Sequence, residues 1–433
     1  MIFDLILRNA KIVTPSEIIE GDLGIIKGKI TKIGKILEKA QIERNCMGLH
    51  ILPGLIDMHV HFRDPGFPNK EDFHSGSMAA AAGGITTVID MPNTLPPTLT
   101  CEALEEKRKI ASQKSLVNYG FYIGFSKDNI DEIKKAKNIA GVKLFMGSTT
   151  GNMLVEDLDL IEKLLALKKF VIVHAEDDKI IRENMEKYKD SQDPSVHSTI
   201  RSPKAAYEAC KTILHLAKKM EARIHITHAS TELEVEELQK FKGPLVSADC
   251  TTHHLYLSQS AYSDQANFVK MNPPLRTNSD KAALWKALKE GIIQAIATDH
   301  APHDREEKAA SYSSAPSGVP GEETLLPLLL NSVNNGEINL SDLCRFVCEN
   351  PAALLHIPFK GKICEGYDAD LAIVDMEKEM KVGANGYFTK CGWSPFNGWN
   401  LKGWPVMTVV NGAIVYEGGK LNEDSRGSEI HFM

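Results

Sequence analysis

Two rhythms of apolar and polar positions divide this chain. At the front, "DLILRNAKIVT" and "DLGIIKGKITKIGKI" alternate apolar with polar residues at the period of a half-buried strand, and Gly28 falls where a hairpin has to turn. The same alternation returns late, in "DADLAIVDM" and "PVMTVVNGAIVYEGGKL". Two strand-rich ends around a long middle predict one small β-domain composed of both chain ends, residues 1–52 and 362–433.

Over 53–361 the pattern changes. Eight short and nearly continuous apolar runs predict strands: "LIDMHVH", "ITTVIDM", "VNYGFYIGF", "GVKLFMG", "FVIVHAE", "RIHITHA", "PLVSADC" and "IQAIATDH". Helical stretches over 102–113, 155–167, 205–219 and 281–290 lie between most of them. Eight β-α units in series predict an α/β fold, a (β/α)8 TIM-like barrel whose chemistry gathers on loops at the C-terminal ends of the strands. A doubly wound sheet is the competing arrangement, and its G-x-G-x-x-G fingerprint is absent.

Composition narrows the class. With 433 residues, a formal net charge of -7, 43% hydrophobic and 25% charged residues, the chain reads as a mildly acidic globular protein without the basic excess of a nucleic-acid binder. No apolar run approaches membrane-spanning length, and Asp4, Arg8 and Lys11 break the front segment into a strand rather than a signal peptide. Eight scattered cysteines without a C-x-x-C pair suit reduced thiols in the cytoplasm; Cys344 and Cys348 read as buried helix positions.

The barrel pattern states where reactive side chains should fall, at the strand ends. His59 and His61 end the first predicted strand; Asn93 follows the second, Lys143 lies on the fourth, His174 ends the fifth, His228 the sixth and Asp299 the eighth. Residues two apart on a strand face the same way, so His59 and His61 both project into the barrel mouth, where imidazole nitrogens can converge on a metal ion. His225, three residues before His228, faces the other way and reads as packing, while His74, His197, His215, His356 and His431 read as structural or surface residues. Lys143 leaves two readings open. One is a salt-bridging lysine; the other is a neutral amine that takes up carbon dioxide and becomes a carbamate able to bridge two metals.

Together "DMHVHFRDPG", "MPNT", "VKLFMG", "VHAE", "HITHAS", "NPPLR" and "ATDHAPH" resemble the dihydroorotases of the amidohydrolase superfamily, over essentially the whole chain. The resemblance implies a distorted barrel with a composite β-domain, and reversible closure of N-carbamoyl-L-aspartate to L-dihydroorotate in pyrimidine biosynthesis. It implies Zn2+, two ions per chain bridged by carboxylated Lys143, with His59, His61, His174, His228 and Asp299 as further metal ligands. Some relatives use a later aspartate instead of the lysine bridge, but "KLFMGSTTGNML" offers none early, which favours the carbamate on Lys143. Asp299 is also the expected proton shuttle, taking a proton from the activated water and passing it to the departing ring nitrogen.

Both reaction partners carry a carboxylate that does not react, and Arg63, held by the Pro65-Gly66 turn, is expected to grip it with a planar pair of donors. Asn93, Asn272 and His303 complete the expected substrate contacts; for the two asparagines a turn-forming role beside proline is the competing reading. The long segment "DREEKAASYSSAPSGVPGEE" lies at the catalytic face and is expected either to order over substrate or to form a disordered surface loop. Hydantoinase or allantoinase is the nearest alternative activity, and a noncatalytic subunit associated with aspartate carbamoyltransferase the alternative of a different class. Arg63 argues against the first and the full ligand set against the second. A homodimer and an association with aspartate carbamoyltransferase are both compatible with the resemblance.

Overall fold

The computed structural model describes residues 2–148 and 153–433. Phe3–Val13 is the spine of a nine-stranded sheet. It pairs antiparallel with Ile18–Ile26, which turns through Lys27 and Gly28, both at positive φ, into Lys29–Gly34. On its other edge it runs parallel to Ala40–Asn45 and His50–Pro53. The late strands complete this sheet: Leu371–Lys381 pairs antiparallel with His50–Pro53, with Leu371 opposite Pro53, and carries Asn400–Val410, Ala413–Glu417 and Lys420–Leu421 beside it. The alternating positions Leu5, Leu7, Leu23, Ile25, Ile51, Leu371, Ile373 and Val409 form its core.

The middle of the chain forms the expected barrel. Eight parallel strands follow one another in chain order: Leu55–Val60, Ile85–Asp90, Asn118–Gly124, Gly141–Phe145, Val171–His174, Ile224–Ile226, Val246–Thr251 and Ala295–Ala297. Most are buried along their whole length, as a parallel sheet covered on both faces requires. The first and last strands meet through a Val60–His300 bridge and the His61 N–H donating to His300 O at 2.8 Å. Buried Asp57 strengthens that seam by accepting from the backbone N–H groups of His59 and Thr298, at 3.1 and 3.2 Å, and from the Thr298 hydroxyl.

Helices sit where the apolar periodicity places them, with their ends fixed by side-chain caps. Ser202 caps Pro203–Lys219 and Thr277 caps Asn278–Lys289. One boundary differs: the helix expected over 155–167 is Leu158–Leu165. Asp157 caps it by accepting from Asp159 N and Leu160 N, while Val155 is drawn back to the barrel by donating to Phe145 O at 2.9 Å. The bottom of the barrel is filled by Ile56, Met58, Ile89, Tyr122 and Ile172 and is closed by the chain's own end. Ile430 N donates to Tyr119 O at 2.8 Å, and Phe432 lies so close to Gly120 that a Cβ there would meet its ring at 2.6 Å.

All eight cysteines are free thiols, and Cys344 and Cys348 are buried. Among the described residues no helix is long and apolar enough to cross a membrane.

Candidate metal centre

The first strand delivers His59 and His61 to one side of the barrel mouth, and the eighth delivers Asp299. His59 Nε2 and His61 Nε2 lie 3.2 and 3.1 Å from the same oxygen, Asp299 Oδ1. Across the mouth, His174 Nδ1 faces His228 Nε2 at 2.9 Å. His59, His228 and Asp299 each offer a ligand atom within 4.8 Å of the other two, so the two halves form one cluster.

The hydrogen bonds around the cluster fix which nitrogens carry protons. Asn93 Oδ1 accepts from His61 Nδ1 at 2.7 Å, which leaves His61 Nε2 as a lone pair aimed at the Asp299 carboxylate. Glu176 accepts from His174 Nε2 at 2.9 Å, which leaves His174 Nδ1 as a lone pair aimed at His228. The His61 Nε2 lone pair and the Asp299 carboxylate are both acceptors, and a cation between them satisfies both. The 3.2 and 3.1 Å separations of His59 and His61 from Asp299 Oδ1 are close to the about 3.3 Å expected between two atoms bound at about 2.0–2.1 Å to one tetrahedral ion. The donor set therefore fits a metal.

Burial enforces the same chemistry. It holds His59, His61 and His228 well below the usual histidine range, with Lys143 adding to the effect at all three, and it lowers His174. Neutral imidazoles are what metal ligation requires. Burial also pushes the Asp299 carboxyl up, against the pull of Lys143 and His174.

Lys143 is fully buried, and burial lowers its ammonium well below the lysine range. Its Nζ donates to Thr227 Oγ1 at 3.1 Å and forms no salt bridge among the described residues, which disfavours the ion-pair reading of this lysine. Within "KLFMGSTTGNML", positions 149–152 lie outside the described residues.

Backbone strain marks the same site. Arg63, His228 and Asp299 have φ of 63°, 42° and 47°, a left-handed region uncommon for residues with side chains, although His and Asp adopt it more readily than Arg. No sequence signal announces it.

Arg63 is 3% exposed. Its Nε donates to Pro302 O at 3.3 Å, and Nη2 lies 3.2 Å from His303 Nε2. No carboxylate pairs with it among the described residues, and burial lowers its pKa to about 10, with Asp299 opposing. His303 is neutral: burial and Arg63 depress it, Lys70 donates to its Nδ1 at 3.1 Å, and its Nε2 lies 3.1 Å from Ser317 O. Asn93 sits on His61. Asn272 makes its contact outside the histidine cluster, with His197 at 2.9 Å.

His225 is buried between Ser247 and Asp249 at 2.8 Å each, on the side of the cluster rather than away from it, since its charge reaches His59 and the other Asp249 oxygen accepts from the His228 backbone N–H at 2.6 Å. Glu176, with Arg201 against its carboxylate, was equally unforeseen. A signal for Glu176 existed in "VHAE", where it closely follows His174 past the strand end, and for Asp57 in the Asp57-x-His59-x-His61 alternation; for Asp249 there was none. The segment after Asp299 is tied down by hydrogen bonds. Lys308 Nζ donates to the carbonyls of Lys270, Pro316 and Gly318 at 2.9, 2.9 and 3.0 Å.

Residues 50–415 match the amidohydrolase family. The chain belongs to that family. Among curated amidohydrolase relatives, the dihydroorotase of Methanothermobacter thermautotrophicus is 36% identical, over 97% of this chain and 96% of that protein. The dihydroorotase of Pyrococcus horikoshii is 38% identical over 97% and 94%. Among solved structures, an L-hydantoinase from Arthrobacter aurescens superposes with a TM-score of 0.93 at 31% identity, over 99% of this chain and all of that one. A D-hydantoinase gives 0.90 at 29% identity over 96% of each. The amidohydrolase barrel and the chain-end sheet are thus common to enzymes acting on different cyclic amides, and the choice among them lies in the side chains of the mouth.

Proposed function

We propose that this chain is a dihydroorotase, which interconverts N-carbamoyl-L-aspartate with L-dihydroorotate and water in pyrimidine biosynthesis. The observation that carries this reading is Arg63: a guanidinium buried beside the ligand cluster with no carboxylate partner among the described residues. Such a group is satisfied by an anionic substrate and wasted on a neutral hydantoin. The full-length likeness to curated dihydroorotases supports it. The hydantoinase reading draws on the fold likeness, which the barrel explains without reference to substrate.

Two zinc ions are the proposed cofactors. His59, His61 and Asp299 would hold one, His174 and His228 the other, and Lys143 as its carbamate would bridge them. When bound, such ions lower the pKa of water and polarise the scissile carbonyl. The protein's own groups do the rest. Asp299, whose carboxyl burial pushes up towards neutrality, accepts the proton of the attacking water and delivers it to the leaving ring nitrogen, and in ring closure it runs these transfers in reverse. Arg63 holds the unreactive carboxylate, with His303 beside it and Asn272 as a further substrate contact, so that the scissile carbonyl faces the cluster. Asn93 acts by fixing the His61 tautomer. A cytoplasmic location is part of this reading, and the free cysteines support it.

The test is to strip the protein with a chelator, restore it with zinc and follow dihydroorotate hydrolysis and carbamoyl-aspartate cyclisation. The reading expects both to vanish and return together. A fully zinc-loaded protein inert in both directions would refute it.

A further inference from the structure

One buried histidine outside the ligand cluster has a protonation state fixed by its neighbours. His197 Nε2 lies 3.0 Å from Met271 O and 2.9 Å from Asn272 Oδ1. A backbone carbonyl accepts only, so Nε2 carries the hydrogen, and the Asn272 atom beside it is its oxygen. A neutral ring then has a bare Nδ1, and the Tyr312 hydroxyl, 3.1 Å away, is its donor. Burial, with Arg201 and Lys270 nearby, depresses His197 to about 3, and burial raises Tyr312 to about 12, so neither group changes its role near neutral pH.

Tyr312 belongs to the segment that follows Asp299, and that segment is anchored. Lys270 Nζ donates to Tyr312 O and Ala315 O at 2.7 and 2.6 Å and lies 4.4 Å from the centre of the Tyr312 ring. Lys308, saturated by three carbonyls, fixes the stretch just beyond. The hydroxyl is therefore held at His197 by the backbone around it.

We infer that Tyr312 and His197 are positioning residues which, from the segment after Asp299, lock the Asn272 carboxamide with its oxygen turned inward and its –NH2 presented to substrate. The relay runs Tyr312 O–H to His197 Nδ1, then His197 Nε2–H to Asn272 Oδ1. The Asn272 –NH2 donates to no described residue, so Asn272 reads an acceptor, a carbonyl or carboxylate oxygen, and rejects a donor at the same place. The inference rests on the reading of Asn272 as a substrate contact, and it adds what sets that residue's polarity.

A double-mutant cycle tests it, with KM and kcat for dihydroorotate measured on zinc-loaded wild type, Tyr312→Phe, Asn272→Ala and the double variant. Tyr312→Phe removes one hydroxyl from a half-buried ring and keeps the packing. It should raise KM about three- to tenfold, the worth of one hydrogen bond, and leave kcat within about twofold, because a ground-state contact is weakened rather than the chemistry. Asn272→Ala should raise KM further, and the double variant should match Asn272→Ala, since the relay has nothing left to orient. An unchanged KM in Tyr312→Phe beside a raised KM in Asn272→Ala overturns the relay and spares the Asn272 reading. Factors that multiply in the double variant also overturn the relay. A wild-type KM in Asn272→Ala overturns the Asn272 reading and the relay with it.

Discussion

Replacing Arg63 isolates substrate recognition from metal binding. The side chain is 3% exposed, and its described contacts are the Pro302 carbonyl at 3.3 Å and His303 at 3.2 Å, so it contributes no ion pair to the fold that its removal would orphan. Its pKa of about 10 records what burial already costs the charge, and a substrate carboxylate offsets that cost when it binds. Truncating one partner of a buried charge pair costs about 2–5 kcal/mol, so Arg63→Ala should lose roughly 30- to 5,000-fold in kcat/KM for dihydroorotate. Arg63→Lys keeps the charge without the planar fork and should fall between. Zinc per chain, measured by mass spectrometry on the same samples, should not change. Hydantoin, which has no carboxylate, should be turned over equally by all three proteins at whatever low rate it shows. Equal losses on both substrates, with zinc intact, would mean that Arg63 supports the shape of the mouth and does not read the anion.

Other substitutions probe the remaining parts. Lys143→Ala should lose bound zinc and turnover, and short carboxylic acids should restore part of both by standing in for the carbamate; full zinc occupancy without them would remove the bridge from the account. Asp299→Asn should fold normally, because asparagine tolerates the φ of 47° at this position, yet turn over dihydroorotate very slowly in both directions; near-normal rates would end its role as proton shuttle. Glu323, which accepts from Phe388 N and Thr389 N at 3.0 and 3.1 Å, is pushed up to about 7 by burial, so between its unfolded value of 4.5 and that point the folded chain holds a proton that the unfolded chain releases. Stability should therefore fall as pH rises through that window, by about 3 kcal/mol at most, and Glu323→Gln should abolish this contribution. Denaturant titrations of both proteins at about pH 5 and about pH 8 check it, and parallel pH slopes would contradict it.

The eight strands were legible because each is a short apolar run, and the strand-end histidines because their spacing puts them at one rim. The chain-end sheet was legible as alternation, but the pairing of Leu371 with Pro53 joins residues far apart in sequence and leaves no local trace. The same reason hid Arg201, which reaches Glu176 from another segment, and Asp249, which holds the His228 backbone from the neighbouring strand. Positive φ at His228 and Asp299 is uncommon even for His and Asp, which adopt it more readily than most residues, so sequence propensity does not mark these positions. The start of the helix at Leu158 was missed because Val155 pairs with the barrel in preference to extending the helix. His197, read as structural or surface, is buried and hydrogen-bonded to Asn272. Only that contact shows what it can position.

The central claim is that this barrel mouth is built for a cyclic amide carrying a carboxylate. The most direct test is kcat/KM on dihydroorotate, hydantoin and allantoin with one zinc-loaded preparation. The account predicts that dihydroorotate is preferred by at least the roughly 30-fold that Arg63 supplies at the low end of its range. Comparable or better turnover of hydantoin or allantoin would contradict it.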